Sequence, residues 1–87
     1  MTDGKTGGDP AQDIEGKAMT LRPAAHPVGN GRWEAELTAW WDQGENTYER
    51  TMLLEGEFPS EDAALQHAAH EARPLAAMTE VPPAWLA

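Results

Sequence analysis

The chain has 87 residues, 15 acidic against 6 basic, and a formal net charge of −9 at neutral pH. That length suits one domain and rules out a multilayer enzyme, and the absence of cysteine removes disulfides, thiolate zinc sites and cysteine nucleophiles. With Lys5, Lys17, Arg22, Arg32, Arg50 and Arg73 scattered along the chain, the acidic balance repels phosphate backbones and anionic headgroups, so neither nucleic acid nor a membrane is expected as a partner.

Residues 1–16 hold four glycines and a proline, with Ile14 the only large apolar residue after Met1. They bury too little to offset the entropy of ordering and are expected to form a disordered tail. The N-terminus lacks the apolar run of a secretory leader, and no segment approaches the roughly 20 apolar residues of a membrane span. A cytoplasmic location is the default expectation. Arginine outnumbers lysine, and alanine, glycine and proline are abundant, a usage that suggests a GC-rich bacterial genome. The folded domain is expected over residues 17–78.

Within it, Met19, Leu21, Pro23, Ala25 and Pro27 alternate along Ala18 to Val28. Two prolines each remove a ladder donor, which places this first strand at a sheet edge. Gly29-Asn30-Gly31 reads as a three-residue hairpin turn with Gly31 in the left-handed region. The clearest signal follows: Trp33, Ala35, Leu37, Ala39 and Trp41 share one face of a central second strand. Gln43 to Asn46 is a polar four-residue connection that pairs Trp41 with Tyr48 and Leu37 with Met52 in a third strand, Thr47 to Phe58. Ser60 caps a helix whose first turn carries Glu61 and Asp62. Ala63, Leu65, Ala68, Ala69 and Ala72 form its apolar side, and Pro74 ends or kinks it near Arg73, with a loose turn over Leu75 to Met78. Residues 79–87 are expected to be an extended tail. The expectation is an α+β fold, β-β-β-α, with a three-stranded antiparallel sheet in the order 1-2-3 packed on one C-terminal helix.

Few residues carry a chemical signature. His67, His70 and Glu71 share a helix face and are the one candidate metal cluster, yet the spacing matches no zinc-protease motif and a solvated helix surface explains it better. Ser60 is accounted for as a cap, and no phosphate-binding glycine loop or dinucleotide fingerprint is present. No cofactor is expected. The carboxylates read as a solvated face, since nothing in the pattern buries them to shift their proton affinity. One feature stands apart. Trp40 points away from the helix, and with Leu53 it is rimmed by Glu34, Glu36, Glu49 and Glu55, with Glu34 expected opposite Glu55. An exposed aromatic beside an apolar residue and a charged rim is a common form of partner-binding patch. Arg22 and His26, on the same face of the first strand, offer an internal counterweight, and Trp85-Leu86 could cover Trp40.

The strand order, the Gly31-Arg32-Trp33 opening of the second strand and the Phe58-Pro59-Ser60-Glu61-Asp62-Ala63-Ala64 helix start resemble two groups over about residues 18–73. One is the AP2-like and integrase arm-type DNA-binding domain, and the other is a set of small bacterial β-β-β-α domains of unknown function. The resemblance implies the layout. It does not extend to DNA reading, which uses Arg and Trp on the sheet face where this chain offers Glu34, Glu36, Glu49 and Glu55. The expected function is a non-enzymatic protein-interaction module that presents its acidic sheet face to a basic protein surface. The alternatives are a metal-dependent activity through the helix histidines and an acidic nucleic-acid mimic that inhibits a basic protein.

Overall fold

In the computed structural model, which describes residues 12–86, four antiparallel strands follow one another across a single sheet. They are β1 (Ile14–Glu15), β2 (Thr20–Gly29), β3 (Arg32–Gln43) and β4 (Asn46–Leu53), in spatial order β1-β2-β3-β4. One helix, α1 (Glu61–Ala77), packs on β2 and β3, and a 3₁₀ turn, Pro83–Trp85, lies near the C-terminus. The α+β class and the C-terminal helix are as the sequence predicts. The strand count is four instead of three.

The added strand corrects the expectation of a tail over residues 1–16, of which 1–11 lie outside the described residues. Ile14 pairs with Leu21 and Glu15 with Thr20. The Gly16 amide donates to the Met19 carbonyl at 2.8 Å and the Lys17 amide to the Ala76 carbonyl at 3.1 Å, which ties the short hairpin to the end of α1. Gly16 is required there, because a Cβ would sit 2.7 Å from the Ala76 Cα. Among the described residues β2 is consequently an edge only beyond Leu21, which is where Pro23 and Pro27 lie, so each proline still avoids a two-sided ladder.

Both of the hairpins predicted from the sequence have tighter turns than expected. Asn30 (φ 56°) and Gly31 (φ 70°) form a two-residue turn closed by Gly29 and Arg32, the left-handed pair that matches strand twist. Val28 is then one residue extra in the ladder between Pro27 and Gly29. A two-residue turn plus a one-residue bulge preserves the parity of a three-residue turn, so Leu21, Pro23 and Ala25 face the same side as Ala39, Leu37 and Ala35. The second turn is Gly44-Glu45, closed by Gln43 and Asn46, with Gly44 at φ 66°. Trp41 pairs with Tyr48 and Leu37 with Met52, as predicted.

The third predicted strand, in contrast, does not run to Phe58. Its regular ladder ends at Leu53, the chain bends out over Glu55-Gly56-Glu57, and one bridge forms again between Trp33 and Phe58. Gly56 at φ 105° makes the bend possible.

Helix packing follows from side-chain size. Ser60 Oγ accepts the Ala63 amide at 3.0 Å, and Ala64, Ala68, Ala69 and Ala72 are buried on the helix. These alanines meet Ala35, Leu37 and Ala39, letting helix and sheet approach closely around Met19, Leu21 and Leu37. Ala64, absent from the predicted stripe, is fully buried, whereas Ala63 and Leu65 are half-buried. Of the two outcomes expected at Pro74, an end or a kink, the helix does not end there: it continues through Pro74 to Ala77. Pro74 and His70 both lie on the exposed side, where the carbonyl that loses its amide partner can be hydrated. Among the described residues no helix is long and apolar enough to cross a membrane.

Candidate functional site

The sheet face opposite α1 is built in rows. Thr20, Trp40 and Glu49 lie side by side, then Arg22, Thr38 and Thr51, then Ala24, Glu36 and Leu53, then His26 and Glu34. Strand alternation alone puts these side chains together, because every second residue of a strand returns to the same face. Five of the six residues singled out from the sequence, Trp40, Leu53, Glu34, Glu36 and Glu49, do share this face. Glu55 does not join them in the ladder: it sits in the bend beyond β4, and the Glu34–Glu55 pairing is not formed. The bend shifts the register by inserting residues between Leu53 and Phe58, so the chain that would have carried Glu55 alongside Glu34 leaves the sheet.

The face divides into two halves. At the end near β1, the Arg22 guanidinium binds Asp13 through both its Nε (2.7 Å) and Nη2 (3.1 Å). The same guanidinium lies 4.9 Å from the Trp40 ring centroid, and the Trp40 indole N–H donates to Glu49 Oε1 at 3.0 Å. The hydrogen bond from Arg22, helped by its charge, holds the Asp13 carboxyl below the usual carboxylate range, and Asp13 in turn raises Arg22. His26 Nε2 donates to Glu36 Oε1 at 2.8 Å, since an ionised carboxylate can only accept. Thr38 and Thr51 hydroxyls meet at 3.1 Å between these two groups. Two of the four carboxylates read as a rim from the sequence, Glu36 and Glu49, thus have internal partners.

The other half is open. Leu53 is 60% exposed beside Glu36, and Glu34 has no ion-pair or hydrogen-bonded side-chain partner among the described residues.

Trp85 does not cover Trp40. Its ring packs against Trp41 on the opposite, helix-bearing face, with centroids 5.6 Å apart, and Arg50 lies over it at 5.7 Å. The Trp41 indole N–H, buried there, has no hydrogen-bond partner among the described residues. Tyr48 stacks on Trp41 at 6.1 Å, so the inner side of β4, to one side of the main packing of α1 on β2 and β3, is lined by Tyr48, Arg50 and Met52.

The helix histidines are not assembled into a metal centre. His67 packs on Phe58 with ring centroids 4.8 Å apart, while His70 and Glu71 are exposed. Among the described residues no group of three or more His, Asp or Glu side chains is placed to hold a metal ion.

Sequence reasoning missed Asp13, whose role depends on a two-residue strand; the free edge of β4 is implicit in the predicted strand order, but no role is attached to it there. Compared with protein-family models, curated proteins and solved structures, the chain matches none, so its function must be argued from this geometry.

Proposed function

We propose that the chain is a non-enzymatic protein-interaction module that receives a basic protein surface on its outer sheet face, centred on Leu53 and Glu34 and bordered by Trp40, Glu36 and Glu49. The observation that supports this is the exposure of Leu53, at 60%, in a row with Glu36 and next to Glu34, on the face that α1 leaves bare. An apolar side chain of that exposure gains from burial, and the surrounding carboxylates select a cationic partner and steer its approach. The engaged half, Asp13, Arg22, Trp40 and Glu49, keeps the platform rigid, which lowers the entropy cost of docking.

Titration with a lysine-rich peptide, followed by backbone amide shifts, tests the reading. Shifts are expected at Glu34, Glu36, Glu49 and Leu53 with none along α1, and affinity falls as salt rises. Glu34→Lys with Leu53→Ser removes the response while leaving the spectrum folded. Shifts spread evenly over the helix and the sheet, or indifference to the double variant, overturn the site.

A further inference from the structure

We infer that the partner binds by adding a strand to the free edge of β4, with basic side chains on the Glu49 face and apolar side chains against Tyr48 and Met52. This rests on the interaction-module reading above and specifies its mode. The two edges of the sheet differ in what they can accept. On one side, β1 covers Thr20 and Leu21, and the rest of β2 carries Pro23, Pro27 and the Val28 bulge; prolines without amide hydrogens and a bulge block the addition of a strand. On the other side, β4 runs for eight residues in unbroken register, with no proline, as the last strand of the sheet.

The backbone alternation identifies which groups are free. The Leu54 amide donates to the Ala35 carbonyl at 2.9 Å, so Met52, Arg50, Tyr48 and Asn46 bond inward to β3 in the same phase. Thr47, Glu49, Thr51 and Leu53 therefore direct both N–H and C=O outward, and among the described residues no strand pairs with them. Their side chains lie on the acidic outer face with Glu36, while the intervening Tyr48, 44% exposed, and Met52 lie on the inner one.

Charge decides the occupant. A second copy paired along the whole of β4 must centre on Glu49 or on Arg50, which sets Glu49 against Glu49 or Arg50 against Arg50 across the new ladder; such like pairs destabilise it. Each copy also brings a net charge of −9. An extended segment that alternates basic and apolar residues meets neither obstacle. Its basic side chains fall beside Glu49 and toward Glu36, and its apolar ones extend the surface of Tyr48 and Met52. The charges on β4 thus exclude its own copy and admit a strand of opposite sign, so one set of residues gives both affinity and discrimination.

The experiment uses a capped peptide of alternating lysine and valine, about the length of β4, and its glutamate-valine counterpart, with amide hydrogen exchange as the readout. With the lysine peptide, exchange is expected to slow at Thr47, Glu49, Thr51 and Leu53 and to stay unchanged at Tyr48, Arg50 and Met52, which are already bonded to β3. The glutamate peptide gives no protection. Thr51→Pro removes one outward donor from an edge position and weakens the lysine peptide by about tenfold, the worth of one hydrogen bond with its strand neighbours. If the lysine peptide binds with salt-sensitive shifts on the outer face but leaves those four amides unprotected in the wild-type chain, strand addition is wrong and the acidic-face reading stands. If it binds nowhere at low salt, both are wrong. Protection that grows with protein concentration in the absence of peptide makes a second copy the occupant and overturns the inference.

Discussion

The two faces of this one sheet are held by different physics. Toward α1, the rows Leu21 with Ala39, Pro23 with Leu37 and Met52, and Ala25 with Ala35 make close apolar contact with helix alanines, and stability there scales with area removed from water and with tight packing. On the other face the same strands present Arg22, Trp40, Glu49, His26 and Glu36 joined by hydrogen bonds and one cation–π contact. Those groups would be well solvated in the unfolded chain, so their net contribution is small. Substitutions on the inner face should therefore change whether the chain folds, and those on the outer face should change what it binds.

The largest expected effect is Leu37→Ala. Leu37 is 1% exposed at the centre of β3 beneath α1, and its truncation leaves a cavity costing about 2 to 5 kcal/mol, measurable by urea denaturation. A loss below about 0.5 kcal/mol, the scale of surface changes, would mean that the inner face is not where stability resides. Gly16→Ala comes next. The new methyl collides with the Ala76 backbone and the Met19 carbonyl, and an enforced shift of this kind costs about 1 to 3 kcal/mol. The loss should be accompanied by faster exchange of the Lys17 amide, which bonds to Ala76.

How far these elements could be read from residues alone differs for each. Trp33 to Trp41 announces its parity because five apolar residues alternate along one strand, and Ser60 with Glu61 and Asp62 marks the helix start because capping is local chemistry. β1 gives no such signal: Ile14 alone cannot show a period, and its order comes from partners outside the strand, the nearby Met19 and Arg22 and the distant Ala76. The reach of α1 past Pro74 depends on which side of the helix faces water, and the docking of Trp85 depends on where Trp41 is left uncovered, neither of which is local. The same division holds at the candidate site. The membership of the face bearing Trp40, Leu53, Glu34, Glu36 and Glu49 follows from strand period, whereas the pairing of Glu36 with His26 and the loss of Glu55 depend on register and on a bend at Gly56.

A smaller effect tests the outer face directly. Replacing Thr38 and Thr51 together by valine removes both partners of one hydrogen bond while keeping shape and strand preference, so stability should change by less than about 0.5 kcal/mol. A loss above about 2 kcal/mol, as large as that expected at Leu37, would break the contrast between the faces.

The smallest effect concerns the ion pair that anchors β1, and it is best read as a dependence on pH. Arg22 holds the Asp13 carboxyl below its usual value, so the folded chain binds a proton there less readily than the unfolded one. A depressed carboxylate contributes stability that is complete above its unfolded value of about 3.9 and is lost as pH falls through the lower folded value. Acidification also relieves the repulsion within a chain of net charge −9, which acts in the opposite direction and would mask the signal in the wild type alone. Comparison with Asp13→Asn removes that common background. The difference in urea midpoint between the two proteins should be constant from neutral pH down to about pH 5 and should shrink toward zero below about pH 4. It should also narrow in high salt, because both side chains of the pair are substantially exposed. A difference that widens on acidification, or that ignores both pH and salt, would show that Asp13 does not hold β1 through Arg22, and that the engaged half of the outer face is ordered by Trp40 and Glu49 alone.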